Sequence, residues 1–276
     1  EPHMEPRPDK MTLMDINKMF SLLQPGDDEE DSGESEELSR AVCQDDHEAV
    51  ARLLSQDRYR RLINRRSGWG VPSTPLRLAA SRGSVRSLRL LLEHGALVDS
   101  LDVKAQTPLF VADSNGHGEC VRLLLARLPE WAANTAACSG PLYLAAAYGH
   151  LECFRLLLLH GADPDYNCTE PAVLAQIREP KTLLETCLRH GCRPDFIRLL
   201  IDFGANVYLP GVPHSDRPGP RSEGLELLLH ARAHPKSLLS QSRLAMRRLL
   251  KQPGHLAALG ELEIPTALAK YLQHQP

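Results

Sequence analysis

The chain has 276 residues, 42% of them hydrophobic, enough for one or two domains with a full core. Its 32 basic and 35 acidic residues leave a net charge of −3, and the imbalance is local, since residues 1–36 hold 11 acidic against 3 basic side chains. No basic block argues for nucleic acid, no apolar run reaches the roughly 18 to 20 residues that span a bilayer, and an odd set of seven cysteines without a C-x-x-C pair fits reduced thiols better than a disulfide framework. A cytoplasmic or nuclear protein is the expectation.

In chain order, Leu13, Ile16, Phe20 and Leu23 come first and fall on one helical face. That face either packs on the first folded unit or forms a tethered arm over a binding surface. Residues 26–37, GDDEEDSGESEE, hold eight acidic side chains and no apolar one, a composition expected to stay disordered. Residues 1–36 are thus read as an acidic tail with one short amphipathic segment.

The stretch ELSRAVCQDDHEAVARLL places Leu38, Ala41 and Val42 on one helix and Val50, Leu53 and Leu54 on a second. The next stretch states the pattern fully. TPLRLAASRGSVRSLRLLLEHGALVD starts at Thr74, and a near copy starts at Gly140. Thr74 to Thr107 and Thr107 to Gly140 are both 33 residues, and Pro75, Pro108 and Pro141 keep step. Threonine can cap a helix N-terminus, and proline suits the first helical position, where the amide has no intrahelical partner. Gly83, Gly116 and Gly149 then break the first helix, and Gly95, Gly161 and Gly204 follow the second as C-terminal stops.

The 33-residue period with T-P-L opening each unit resembles the ankyrin repeat, whose helix pairs bury their apolar faces only by stacking on neighbours. The 38–54 stretch is then a degenerate first unit, with Asp45 where the turn glycine belongs. A fifth unit opens at Thr182, nine residues late, and carries one further residue between its helices. The repeat region is placed at 37–208. In the third unit the expected H-G-A-x-x-D finger is absent after CVRLLLA, although the 33-residue step survives. Either that finger has diverged, or one whole repeat has been lost at a seam between Ala126 and Trp131.

LPGVPHSDRPGPR reads as a linker, so residues 209–236 are assigned to a linker with a short helix. From residue 237 to the C-terminus, Leu238, Leu239, Leu244, Leu249 and later leucines predict two or three short amphipathic helices, too few residues for an independent core. The spacing small-Leu-x-x-x-Cys-x-x-x-aliphatic followed by Leu-Pro-x-Pro is the SOCS-box pattern. Here Ser237, Leu238, Ser242 and Met246 occupy its elongin-binding part, and Leu262, Ile264 and Pro265 its cullin-binding part. Ser242 replaces the family cysteine and Glu263 the first proline of the second part. A buried hydroxyl without a partner costs about 1–3 kcal/mol, although a bond back to the carbonyl four residues earlier would trim it.

With helix-pair repeats upstream, the chain resembles the ankyrin-repeat and SOCS-box family. The resemblance implies an all-α fold of about five helix pairs followed by a small helical box. It also implies the role of substrate-recognition adaptor in a ubiquitin ligase, with elongin B, elongin C and cullin-5 with a RING protein as partners, besides an unidentified target protein. The alternative is an ankyrin scaffold or inhibitor whose C-terminal helices only cap the repeats.

No catalytic motif of the G-x-x-x-x-G-K-[ST], G-x-S-x-G or H-E-x-x-H type occurs, and His117 with Cys120 is one pair where structural zinc needs four ligands. Neither enzyme chemistry, a metal nor a cofactor is expected. Subtracting the period aligns Arg77, Phe110 and Tyr143 in one row and Leu78, Val111 and Leu144 in the next. These rows are the candidate target surface, the second an apolar stripe unless neighbouring fingers cover it. Asp113 stands where the sister units have Ala80 and Ala146, either buried at a cost or as a polar contact in the groove.

Overall fold

The computed structural model describes residues 32–67, 72–100, 106–128, 135–165, 182–209, 222–249 and 264–275. Among these residues it is all-helical apart from one bridge between Ser67 and Ser73. The chain divides into two compact units, Glu1–Pro108 and Leu109–Pro276.

In the first unit, α1 (Ser32–Cys43) pairs with α2 (His47–Leu54), a short α3 (Asp57–Arg60) follows, and α4 (Pro75–Arg82) pairs with α5 (Val85–Glu93). The pairs stack, α1 on α4 and α2 on α5, around Leu38, Val42, Leu54, Leu76, Leu88 and Leu91. Thr74 caps as its sequence predicts, its hydroxyl accepting the Arg77 amide at 3.3 Å. Asp46 does the same for α2 from Ala49 at 3.0 Å. The expected disorder is corrected at its end, because Ser32–Glu37 already belong to α1. Partners explain the order. Glu34 pairs with Arg58 at 3.6 Å and Glu37 accepts the Tyr59 hydroxyl, so two of the acidic side chains are tied to α3.

In the second unit α6 (Pro108–Ser114) pairs with α7 (Gly118–Arg127), α8 (Thr135–Tyr148) with α9 (Leu151–Leu159), and α10 (Leu183–Arg189) with α11 (Pro194–Asp202). Then come α12 (Glu223–Ala233), α13 (Leu238–Leu249) and α14 (Thr266–Leu272). With the two pairs of the first unit this makes the five helix pairs read from the sequence. Thr182 caps α10 by accepting the Glu185 amide at 3.0 Å. Gly140 has no hydroxyl with which to mark a start, and α8 begins earlier, at Thr135, with Pro141 inside it. Gly116 lies at φ 74°, and a Cβ there would meet the His150 ring at 2.7 Å while His150 Nε2 donates to the Ser114 carbonyl. Only glycine fits that turn. Phe154 and Phe196 meet edge to face at 5.0 Å in the core.

The N-terminal amphipathic segment, the insertion before Thr182, the seam at 129–131 and Leu262 lie outside the described residues.

Candidate partner-recruiting site

The C-terminal helices start from the last repeat. Helix α12 lies on α11, with Gly224 against Ile197, Leu228 fully buried, and Arg198 paired with Glu223 at 3.0 Å. Arg232 donates to the Val207 carbonyl at 2.7 Å, and the Tyr208 hydroxyl donates to the Arg232 carbonyl at 2.6 Å. This polar bracket ties the end of α12 to the finger of the last repeat.

Helix α13 has two unlike faces. At 3.6 residues per turn, Leu238, Ser242, Met246 and Leu249 share one side, and Arg247, nine residues after Leu238, lies about two and a half turns on, on the other. The first side is open: Leu238 is 82% exposed, Leu249 74%, Leu239 60% and Met246 42%. Ser237 and Ser242 are exposed beside them. Such a patch of large apolar side chains on a helix marks a surface for a partner. Ser242 makes no bond back to the Leu238 carbonyl among the described residues, so the relief expected for its hydroxyl is absent in the free chain.

The opposite side is fastened to the repeats. Arg247, 8% exposed, donates to the carbonyls of Leu159 at 2.8 Å, Leu158 at 3.4 Å and Leu272 at 3.1 Å, and lies 5.0 Å from the Phe203 ring centroid. Burial, then the nearby Arg243, pushes it down to about 10, so it stays charged at neutral pH. Phe203 also carries His274, stacked at 3.8 Å, which burial and then Arg243, Arg247 and Arg155 push down to about 3. Lys236 donates to the Ile201 carbonyl at 3.0 Å, and Leu244 rests against Gly204. The sequence offers Leu238 and Met246 as partner contacts but does not mark Arg247, Lys236, Phe203 and His274 as the groups that fasten the other side. The available signal is Arg247 half a turn from Leu238, although Arg243 and Arg248 on the same helix blur it.

Of the second part of the box, Ile264 is half-buried and Pro265 is exposed at the start of α14. In the row for the target, Arg77, Phe110 and Tyr143 are half-buried. In the second row Val111 is covered, at 5% exposed, while Leu78 and Leu144 are half-buried, so the row is not a continuous open stripe. Of the two alternatives for Asp113, the structure matches the buried one. It is fully buried, neither carboxylate oxygen is hydrogen-bonded among the described residues, and burial pushes it up to about 8.

Comparison with known proteins names these parts. Residues 38–135 match the family model "Ankyrin repeats (3 copies)", 140–168 match "Ankyrin repeat", and 234–273 match "SOCS box". Helices α10 and α11 lie outside those matched ranges. The chain is 57% identical to human (Homo sapiens) "Ankyrin repeat and SOCS box protein 12" over 309 residues, covering 96% of this chain and all of that protein. For the mouse (Mus musculus) protein of that name the identity is 53% over the same shares. Human "Ankyrin repeat and SOCS box protein 1" is 36% identical over 126 residues, 43% of this chain and 37% of that protein. The 96% of the chain that aligns is about 265 residues, so about 44 of the 309 aligned positions have no counterpart here. Taken with the helix pairs and the two-faced C-terminal helix, these matches place the chain in the ankyrin repeat and SOCS box family.

Proposed function

We propose that the chain is the substrate-recognition subunit of a ubiquitin ligase, in which the box binds elongin B and elongin C and then cullin-5 with its RING protein. The repeats hold a target protein, with Arg77 in the first unit and Phe110 and Tyr143 in the second as candidate contacts. The chain itself makes and breaks no bond. It raises the effective concentration of a target lysine near a charged ubiquitin-conjugating enzyme, turning a bimolecular encounter into a nearly unimolecular one.

The observation that carries this reading is the open apolar face of α13. Leu238, Leu239, Met246 and Leu249 stay exposed on a helix whose other side is fastened down, within the segment that matches the SOCS box. Ser237, Leu238, Ser242 and Met246 are the proposed elongin contacts, and Leu262, Ile264 and Pro265 the proposed cullin contacts.

A plain scaffold is the other reading, and the packing of α12 on α11 favours it, because a terminal helix covering the last repeat is what a cap does. Co-expression with elongin B and elongin C separates the two. Coelution of the full chain, and not of one ending at His234, supports the ligase subunit. A folded full chain that runs alone leaves the scaffold.

A further inference from the structure

We infer that Arg247 is a positioning residue that sets the angle of the ligase-recruiting helix α13 on the repeats, so that a bound elongin pair is carried at one orientation to the target. The purpose rests on the ligase reading above. The joint itself does not.

The side chain is the meeting point of four elements. Its guanidinium binds the last carbonyls of α9 in the fourth repeat, the Leu272 carbonyl of α14, and the ring of Phe203 at the end of the fifth repeat, while its own backbone belongs to α13. A planar fork of donors reaching three carbonyls fixes direction as well as distance, which a lysine or an apolar side chain cannot do. The carbonyls of Leu158 and Leu159 end a helix, where the backbone dipole favours a cation. Burying an arginine with no carboxylate beside it is a poor way to gain stability, and apolar residues of similar volume serve as well or better. Directional fixing is what the arginine adds. Its place half a turn from Leu238 leaves the apolar face of α13 pointing away from the repeats.

Among the described residues the titratable groups at the joint are Arg243, which lies over the Tyr271 ring at 4.5 Å, Arg155, His160 after α9, and His274 on Phe203, which is neutral at pH 7. The nearby carboxylate of Asp202 acts on Arg243 and not on Arg247, so the carbonyls are the anchor.

The test uses the full chain, free and bound to elongin B and elongin C. Spin labels go on ketone-bearing side chains placed at Glu152 in α9 and Arg248 in α13, both exposed, which leaves the native cysteines untouched. The expected result is one narrow distance in the parent chain and a distribution at least twice as wide in Arg247→Met, with elongin affinity changed less than about threefold. Arg247→Lys, which keeps the charge without the fork, is expected to be wide as well. An equally narrow distance in Arg247→Met overturns the inference, as does a parent chain that is already wide. Widening without any elongin binding upholds the joint while the ligase reading fails. Elongin binding without widening does the reverse. Lost stability alone would lower the folded fraction without widening the distance in the folded molecules.

Discussion

The carboxylate of Asp45 accepts the backbone amide of Ser87 at 2.8 Å, 42 residues away, so the turn of one repeat caps the second helix of the next. Asp45 sits at φ 51°, in the slot where Gly83 lies at φ 71°. The chain accepts a left-handed residue that glycine would take more easily in exchange for an anion at an open helix N-terminus. Asp45→Ala is expected to lower stability by about 2 kcal/mol, since it keeps the strain and loses a charged hydrogen bond. Asp45→Gly is expected to lose about half as much, because glycine relieves the turn. Urea denaturation of both variants checks this, and equal losses would show that the turn carries no strain.

Asp113 works against the fold. It is enclosed without a hydrogen-bond partner among the described residues, and Cys153, whose thiol feels its charge, is itself buried and pushed up to about 12. The unfolded chain releases the Asp113 proton near pH 4 and the folded chain holds it to about 8. Between those values the unfolded state binds fewer protons, so stability falls as pH rises. Asp113→Ala, the residue of the sister repeats, is expected to raise the thermal midpoint at pH 7 by roughly 5–10 °C. The gain should shrink steadily as pH drops toward 4. Calorimetry at pH 4.5, 6 and 7.5 measures it, and a gain independent of pH would show that Asp113 is ionised in the fold.

The same contrast shows which parts were legible. Thr74, Thr182 and the positive-φ glycines announce themselves because capping and turn chemistry are local, and they placed the five helix pairs. The order of Ser32–Glu37 was hidden because it depends on Arg58 and Tyr59, more than twenty residues on. Helix α13 was half legible. Its leucine spacing and box pattern gave a helix with Leu238 and Met246 toward a partner, but nothing local says that Arg247 turns in, because the carbonyls it binds lie 25 and 88 residues away in sequence. A periodic row likewise cannot say that Val111 is covered, since neighbours decide that.

The two departures from the SOCS-box pattern give a pair of gain-of-function tests. In the proposed complex the Ser242 hydroxyl loses water without a partner, whereas a cysteine behaves as a small hydrophobe. Ser242→Cys is expected to tighten elongin binding about tenfold, corresponding to ~1.4 kcal/mol. Leu238→Ala should weaken it by about ten- to a hundredfold through lost apolar burial of ~1.5–3 kcal/mol. Titration calorimetry with the elongin pair measures both, and unchanged affinity in Leu238→Ala, with folding verified, removes that residue from the interface. Glu263→Pro restores the second part of the pattern and should raise cullin-5 capture by the elongin-bound chain.

The seam after the third repeat yields the last prediction. The finger that follows Glu93 as HGALVD has no counterpart after Arg127, yet the next unit opens in register. Loss of one whole unit explains both facts, since only a full period preserves the step, and the positions that the relatives have and this chain lacks exceed one 33-residue period. A finger that diverged in place without changing length also explains both facts, but not the positions that the relatives have and this chain lacks. Repeat stability is close to the sum of each unit and its contacts with neighbours, so a restored unit should add to it. Insertion after Arg127 of one 33-residue unit that begins with the His94–Asp99 finger is expected to raise the thermal midpoint and keep a single cooperative transition. A lower midpoint would mean that Leu128 and the residues after it already form a competent junction, and that this repeat has diverged in place.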